Sequence, residues 1–427
     1  MKFVLMQEIL LHHIWQFRLY QSNGLQTLCG KNIQVLNPGN YNKNQGPDFL
    51  DARIMIGDAL WAGHIELHIY TSHWNQHGHS ADSNYANVIL HVVWKQDKYV
   101  ELPFPTLELH PYVAKTMLEK YARMQEKNGF IPCQPLLENL PPLVFEKTLE
   151  RMLAERMEAR SNQIIAKLKE ENGDWQKIWL QLLAKTLGGK INGYSFEQVM
   201  ASIPMRLLKR CQQDVQMSEA LLFGQANMLN QPFKDDWPKS LQNTYAYYQS
   251  AYHIRPALVS MHFFRMRPAS FPGLRMAILA NYLSGKINQM DALFKATDIK
   301  QLRLLLPFNV SEYWQTHYRF DVQAKSKVVY SSEQLQYSCI LNAVGPLLYA
   351  YGRCFNQPEY IERSIDFQEA IAAEKNSIVH SFEQVSMTVQ SAAQSQGLLQ
   401  LYHEYCEKKN CMQCGIGLSI LKRCEFG

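Results

Sequence analysis

Carboxylates and imidazoles crowd one short part of this chain, residues 46–94. Six of the 14 histidines lie between His64 and His91, where even scatter would place about one. Asp48 and Asp51 precede them and Glu66 sits among them. Carboxylate and imidazole are the side chains that hold a divalent metal. Any one of these histidines also has an ordinary packing role open to it. It is the clustering that carries the expectation of a metal or phosphate site.

The chain's end offers a second chemistry. Cys406, Cys411, Cys414 and Cys424 follow His403 within a short tail. Cys411 and Cys414 have the C-x-x-C spacing with which a tight turn presents two thiolates to one ion. Cys406 supplies a third ligand. The fourth is His403, Cys424 or a cysteine from elsewhere. Thiolates in this number suit zinc or an iron–sulfur cluster. A redox pair of this spacing usually follows a strand, whereas residues 402–405 read as helix.

A third candidate is basic. Arg265, Arg267 and Arg275 flank Ser270 in a proline-punctuated loop that leads into a helix from about residue 274. Arginines beside a helix start suit a phosphate group, and they equally suit pairing with acids of another domain. Gly188-Gly189-Lys190 lacks the leading glycine and the spacing of a phosphate-binding loop.

The elements that must position these groups follow from period. Residues 3–20 advance in helical steps. Residues 32–36 alternate as a short strand. Residues 51–56 and 60–70 read as two strands about a Gly57-Asp58 turn. In the second, Glu66 and His68 share one face, and Ile65, Leu67 and Ile69 the other. Residues 88–94 are apolar on both faces and read as a central strand carrying His91. Residues 77–86 fit a loop or short helix. Pro132, Pro135, Pro141 and Pro142 mark a boundary, after which residues 143–305 read almost wholly as helix. Gly224, in an apolar helix that begins at Glu219, suits a close helix contact. Three regions are expected: a sheet domain at 1–130, a helical domain at 131–310, and a helical C-terminal region with the cysteines at 311–427. The fold class is α+β.

Pro47-Asp48 on one strand and Glu66-Leu67-His68 on the next resemble the PD-(D/E)-x-K nuclease core, a helix, three antiparallel strands, a helix and a further strand. The resemblance covers roughly residues 1–110 and implies a restriction-endonuclease-like mixed sheet. It makes Asp48, Glu66 and His68 the catalytic candidates, with Mg²⁺ or Mn²⁺ on the two acids and an acid of the first helix, here Glu8, nearby. His68 stands where the motif has lysine. An imidazole orients water as a cation only when protonated; otherwise it ligates or acts as a base. His77, His79, Asp82 and His91 are expected around that centre or at a second metal.

Longer motifs, G-P-D-F-x-D-A-R-I, G-x-I-E-L-H, H-G-H-x-x-D-x-x-Y-x-N-V-I-L-H-V-V, F-G-Q-A and R-x-R-P-x-x-F-P-x-x-R, together with the cysteine tail, resemble the bacterial proteins of domain-of-unknown-function family 2851. That resemblance spans nearly the whole chain and supplies no activity.

Composition bounds the rest. At 427 residues, 47% hydrophobic and 19% charged, the chain folds rather than staying disordered. A formal charge of +5 permits a nucleic-acid partner without demanding one. No apolar run approaches the ~20 residues of a membrane span, and no cleavage pattern follows the N-terminus. Nine cysteines, five of them scattered singly, suit a reducing cytoplasm. The expectation is therefore a metal-dependent nuclease or related phosphodiesterase. The alternatives are an inactive nuclease-like interaction module with a structural metal, and a zinc hydrolase with His77, His79 and Asp82 as ligands.

Overall fold

The computed structural model describes residues 6–126, 129–138 and 140–423. The fold is α+β, a mixed sheet followed by a largely helical region. Two compact units emerge. The first comprises residues 1–149 together with 400–427, the second residues 150–399. The tail therefore belongs with the sheet, not with 311–399, because its cysteine knuckle and last helix pack on the N-terminal unit.

The first unit starts with helix α1 (Glu8–Gln16), shorter than its sequence period suggests. Its residues 10, 11, 14 and 15 are fully buried, and it lies against the sheet's middle strand. The strands are β1 (Ile33–Asn37), β2 (Asn40–Tyr41), β3 (Phe49–Ile56), β4 (Ala59–Tyr70), β5 (Val88–Lys95) and β6 (Thr106–Glu108). They run in the order β1-β3-β4-β5-β6, with β2 paired on β3. The β1–β3 and β3–β4 pairs are antiparallel, and β4–β5 and β5–β6 are parallel. The β3–β4 hairpin turns at Gly57, whose φ of 60° is left-handed. A parallel pair needs a crossover, here residues 71–87, containing helix α2 (His73–Gln76) and two single 3-10 turns. Helix α3 (Lys115–Gln125) closes the sheet region.

Two irregularities shape the neighbourhood of the histidines. The β3–β4 register shifts between Phe49 and Ala52, a bulge in which Asp51 has a left-handed φ of 60°. At Gly63 the β4 backbone comes so close to β5 that an added Cβ would lie 2.5 Å from Ile89 Cγ2 and 2.6 Å from the Asn87 carbonyl.

The second unit is helical around one large core. Helix Val215–Gln225 is buried from Met217 to Gln225. Gly224 lets Tyr245 pack directly on it, as the sequence suggests: a Cβ there would sit 2.2 Å from the tyrosine ring. Glu219, fully buried, accepts hydrogen bonds from the indoles of Trp237 (2.8 Å) and Trp314 (3.0 Å). The helix Trp175–Ser202 is interrupted at Gly189, where φ is 63° and ψ −161°. No helix among the described residues is long and apolar enough to cross a membrane.

Candidate metal centre

Strand β4 delivers Glu66 and His68 two residues apart on one face. Strand β5 runs parallel beside it, and its register sets His91 next to Glu66. The bulge in β3 leaves Asp48 across from Glu66. The Asp48 N–H donates to Glu66 Oε2 at 3.1 Å, and Asp48 Oδ2 accepts the Leu67 N–H at 2.9 Å. The crossover supplies the remaining imidazoles. Gly78, left-handed at φ 72°, reverses the chain between His77 and His79 and returns both to the same place.

One ligand atom each from His68, His77 and His79 lies within 4.8 Å of the other two. His68 Nε2 is 3.1 Å from His77 Nδ1 and 3.5 Å from Glu66 Oε1. His79 Nε2 is 3.3 Å from the same Glu66 oxygen. Four atoms bound tetrahedrally at the ~2.0–2.1 Å of zinc–nitrogen and zinc–oxygen bonds stand about 3.3 Å from one another. Three of these contacts, His68 Nε2 to His77 Nδ1, His68 Nε2 to Glu66 Oε1 and His79 Nε2 to Glu66 Oε1, lie at 3.1–3.5 Å, close to that edge. The buried His79 Nε2 also has no hydrogen-bond partner. A buried, unpaired ring nitrogen aimed at a carboxylate is the atom an ion would satisfy.

Around these four stands a supporting layer. His91, fully buried, brings Nε2 to 2.9 Å from His68 Nδ1, the kind of second contact that fixes a ligand's tautomer and ring plane. Trp74 packs its edge on His68, His79 and His91, and Tyr85 stacks on His79 with centroids 3.9 Å apart. From α1, His12 Nε2 approaches Asp48 Oδ2 at 3.3 Å.

The electrostatics keep these groups uncharged. Burial pushes Glu66 up to about 9, and the charges of Asp48 and Glu8 add to it. Burial, then the surrounding imidazoles beginning with His91, holds His68 down to about 2. Burial and the nearby His79 and His73 take His91 down to about 3. His79 is lowered by burial and by His77. Without an ion, then, the acid keeps its proton and His68 and His91 stay neutral. Neutral imidazole is the ligating form, and a cation would let Glu66 ionise.

The sequence candidates divide accordingly. Glu66, His68, His77 and His79 come together, with Asp48 and His91 against them. Asp82 does not join the trio of imidazoles: its carboxylate accepts from the Asn84 N–H (2.9 Å) and the Asn84 amide (2.8 Å), capping a 3-10 turn. Glu8 lies close enough to act on Glu66 electrostatically. His12 and Tyr85 escaped sequence reasoning; only their places in α1 and in the Asn-Tyr turn bring them here. Of the arginines, Arg265 and Arg267 are exposed. Arg275 turns inward, its Nη1 buried without a hydrogen-bond acceptor and its guanidinium lowered by burial. Cys411 and Cys414 are buried, Cys406 half-buried, and Cys424 lies outside the described residues.

Fold and side chains together define an α+β protein with a cluster of histidines and carboxylates on a mixed sheet. The chain belongs to the family described as "Protein of unknown function (DUF2851)", whose model matches residues 8–377. No curated protein and no solved structure matches it.

Proposed function

We propose that this protein is a metal-dependent hydrolase of phosphodiesters, with nucleic acid as the substrate class. The observation that carries the reading is the trio His68, His77 and His79, one ligand atom of each within 4.8 Å of the other two, with Glu66 Oε1 3.3 Å from a His79 Nε2 that has no hydrogen bond. Three nitrogens and one oxygen favour zinc, or manganese, over Mg²⁺, which prefers oxygen donors and keeps its waters. This revises the expectation of Mg²⁺ on Asp48 and Glu66. It moves the zinc-hydrolase alternative to Glu66 and His68 in place of Asp82.

The phosphodiester part rests on order. A helix, the antiparallel β1, β3 and β4, a short helix and then β5 follow the sequence of elements in the resembled nuclease core. Asp48, Glu66 and Glu8 of the first helix, whose charges act on one another, are the acids that would serve its acidic positions. A bound divalent ion polarises phosphate oxygen and lowers the pKa of water. Asp48 sits beside the ligand carboxylate at the rim, 22% exposed at its side chain, and is the base that accepts the proton of an attacking water. His12 orients it. His91 holds His68 in its tautomer.

The test is a cleavage assay of single- and double-stranded DNA and RNA with Zn²⁺ or Mn²⁺. Wild type is expected to cleave one of these polymers, and Asp48→Asn, which keeps an acceptor for the Leu67 N–H, to lose turnover while still binding metal, more tightly at pH 7 if anything because Glu66 then gives up its proton more readily. Equal turnover in Asp48→Asn removes the base assignment. Metal binding with no cleavage of any polymer removes the hydrolase reading in favour of an interaction module.

A further inference from the structure

The helical second unit holds a cavity of about 410 Å³. Its walls are residues 160–167 of the helix Pro142–Glu170, the middle of the helix Trp175–Ser202, and the helical run 333–355. Four cationic side chains line it, Arg160, Lys167, Lys185 and Lys190, against a single carboxylate, Glu197. Glu197 is buried and pairs with two of them. The Lys167 ammonium donates to its Oε1, and Lys185 Nζ stands 3.2 Å from its Oε2. Among the described residues neither Arg160 nor Lys190 has a carboxylate in ion-pair range. Three positive charges are therefore left unmatched around one hollow.

The cations are held in place by departures from regular helix. Arg160 Nη1 donates to the Leu341 carbonyl at 3.2 Å and Nη2 to Asn342 Oδ1 at 3.0 Å. Both acceptors lie in the π turn Ile340–Val344, a form of winding frequent at functional sites. Neutral oxygens thus orient the guanidinium without cancelling its charge. Burial, then the charge of Arg156, lowers Arg160 to about 9, so it stays cationic at pH 7 with an energetic penalty that an anion beside it relieves. On another wall, Gly189 breaks its helix at φ 63°, and the helix restarts at Lys190. A Cβ at Gly189 would meet nothing within 4 Å, so the glycine is there for backbone conformation, not for packing. The restarting segment brings the positive end of its peptide dipoles to the same hollow.

We propose that this cavity binds a small phosphate-bearing molecule, a phosphomonoester or a diphosphate, with Arg160 and Lys190 on the phosphate and Lys167 and Lys185 adding charge. Three unmatched cations suit a multiply charged anion better than a single carboxylate, and the arginine fork matches two phosphate oxygens. The volume is that of a small-molecule site. Thr186, Ser338 and Asn342 add hydroxyl and amide groups, while no aromatic ring lines the cavity for a base to stack on. The phosphate and its polar carrier are what the site recognises. This inference stands apart from the metal-hydrolase reading and shares no residue with it.

The test is titration calorimetry on the full chain with EDTA present, so that no metal at the histidine cluster contributes. The probes are pyrophosphate, ribose 5-phosphate, acetate and a 5′-phosphorylated oligonucleotide. One pyrophosphate or ribose 5-phosphate per chain is expected, bound at least about fivefold more weakly in Arg160→Gln and in Lys190→Gln. Lys190 is exposed, so its variant also covers an Arg160→Gln protein that fails to fold. Glu197→Gln, with wild-type circular dichroism, removes the one carboxylate and should bind the same probe more tightly. That gain separates an anion site from a set of ion pairs that serves stability alone. No binding of either small phosphate, acetate bound as tightly, the oligonucleotide bound more tightly than ribose 5-phosphate, unchanged affinity in Lys190→Gln, or no gain in a folded Glu197→Gln overturns the proposal.

Discussion

The raised Glu66 makes metal binding a proton-releasing event, and its size follows from the site. At pH 7 a carboxyl pushed up to about 9 is protonated in about 99 of 100 molecules. To ligate, it must give up that proton. The apparent affinity for a divalent ion at pH 7 is therefore about 100-fold below its value well above pH 9, a cost of about 3 kcal/mol. Between pH 7 and pH 9 affinity should climb about tenfold per unit, with close to one proton released per ion at the lower end. His68 and His91, held neutral down to about 2 and 3, add nothing to that slope. Titration calorimetry with Zn²⁺ or Mn²⁺, in buffers of different ionisation enthalpy, reads both affinity and proton count. Glu66→Gln mimics the protonated acid, so it should bind weakly and with no Glu66-linked pH slope. A wild-type affinity that stays flat from pH 7 to 9, or a Glu66→Gln protein with the full wild-type slope, would refute the reasoning.

Other expectations follow from the same contacts. In metal-free protein, raised Glu66 makes stability fall as pH rises from about 4.5 towards 9. Lowered His68 and His91 make it fall as pH drops below about 6.5. Thermal melts of the metal-free protein should therefore be highest near pH 6–7, and Glu66→Gln should remove the alkaline decline; an unchanged alkaline limb in that variant rejects the assignment. Gly63→Ala forces β4 away from the Asn87 carbonyl and Ile89, so it should cost about 1–3 kcal/mol and weaken metal binding through His68. Denaturant unfolding of that variant at wild-type stability would show that the two strands tolerate the added methyl group. Glu219→Leu strands the Trp237 and Trp314 indoles, about 1–3 kcal/mol each, whereas Glu219→Gln retains an acceptor and should cost less. Equal loss in the two variants would mean that the indole bonds are not what Glu219 contributes.

Much of the sheet was legible because alternation is a local signal. The hairpin about Gly57, the shared face of Glu66 and His68, and the apolar strand carrying His91 all follow from period two and one glycine. The histidine cluster could be seen as a cluster. Which members meet could not, since that depends on the parallel β4–β5 register, the β3 bulge at Asp51 and the left-handed Gly78. Asp82 illustrates the limit: in Asp-Ser-Asn the carboxylate is as suited to capping a turn as to ligating, and it caps. His12 and Tyr85 enter through helix placement and a turn, neither of which the linear spacing encodes.

The most direct test of the histidine centre is metal content by mass spectrometry, with metal-edge X-ray absorption, on wild type and on His77→Ala/His79→Ala. The double variant should keep the wild-type circular dichroism and lose one nitrogen- and oxygen-bound ion per chain. Equal content in both proteins, or no nitrogen-bound ion in the wild type, would contradict it.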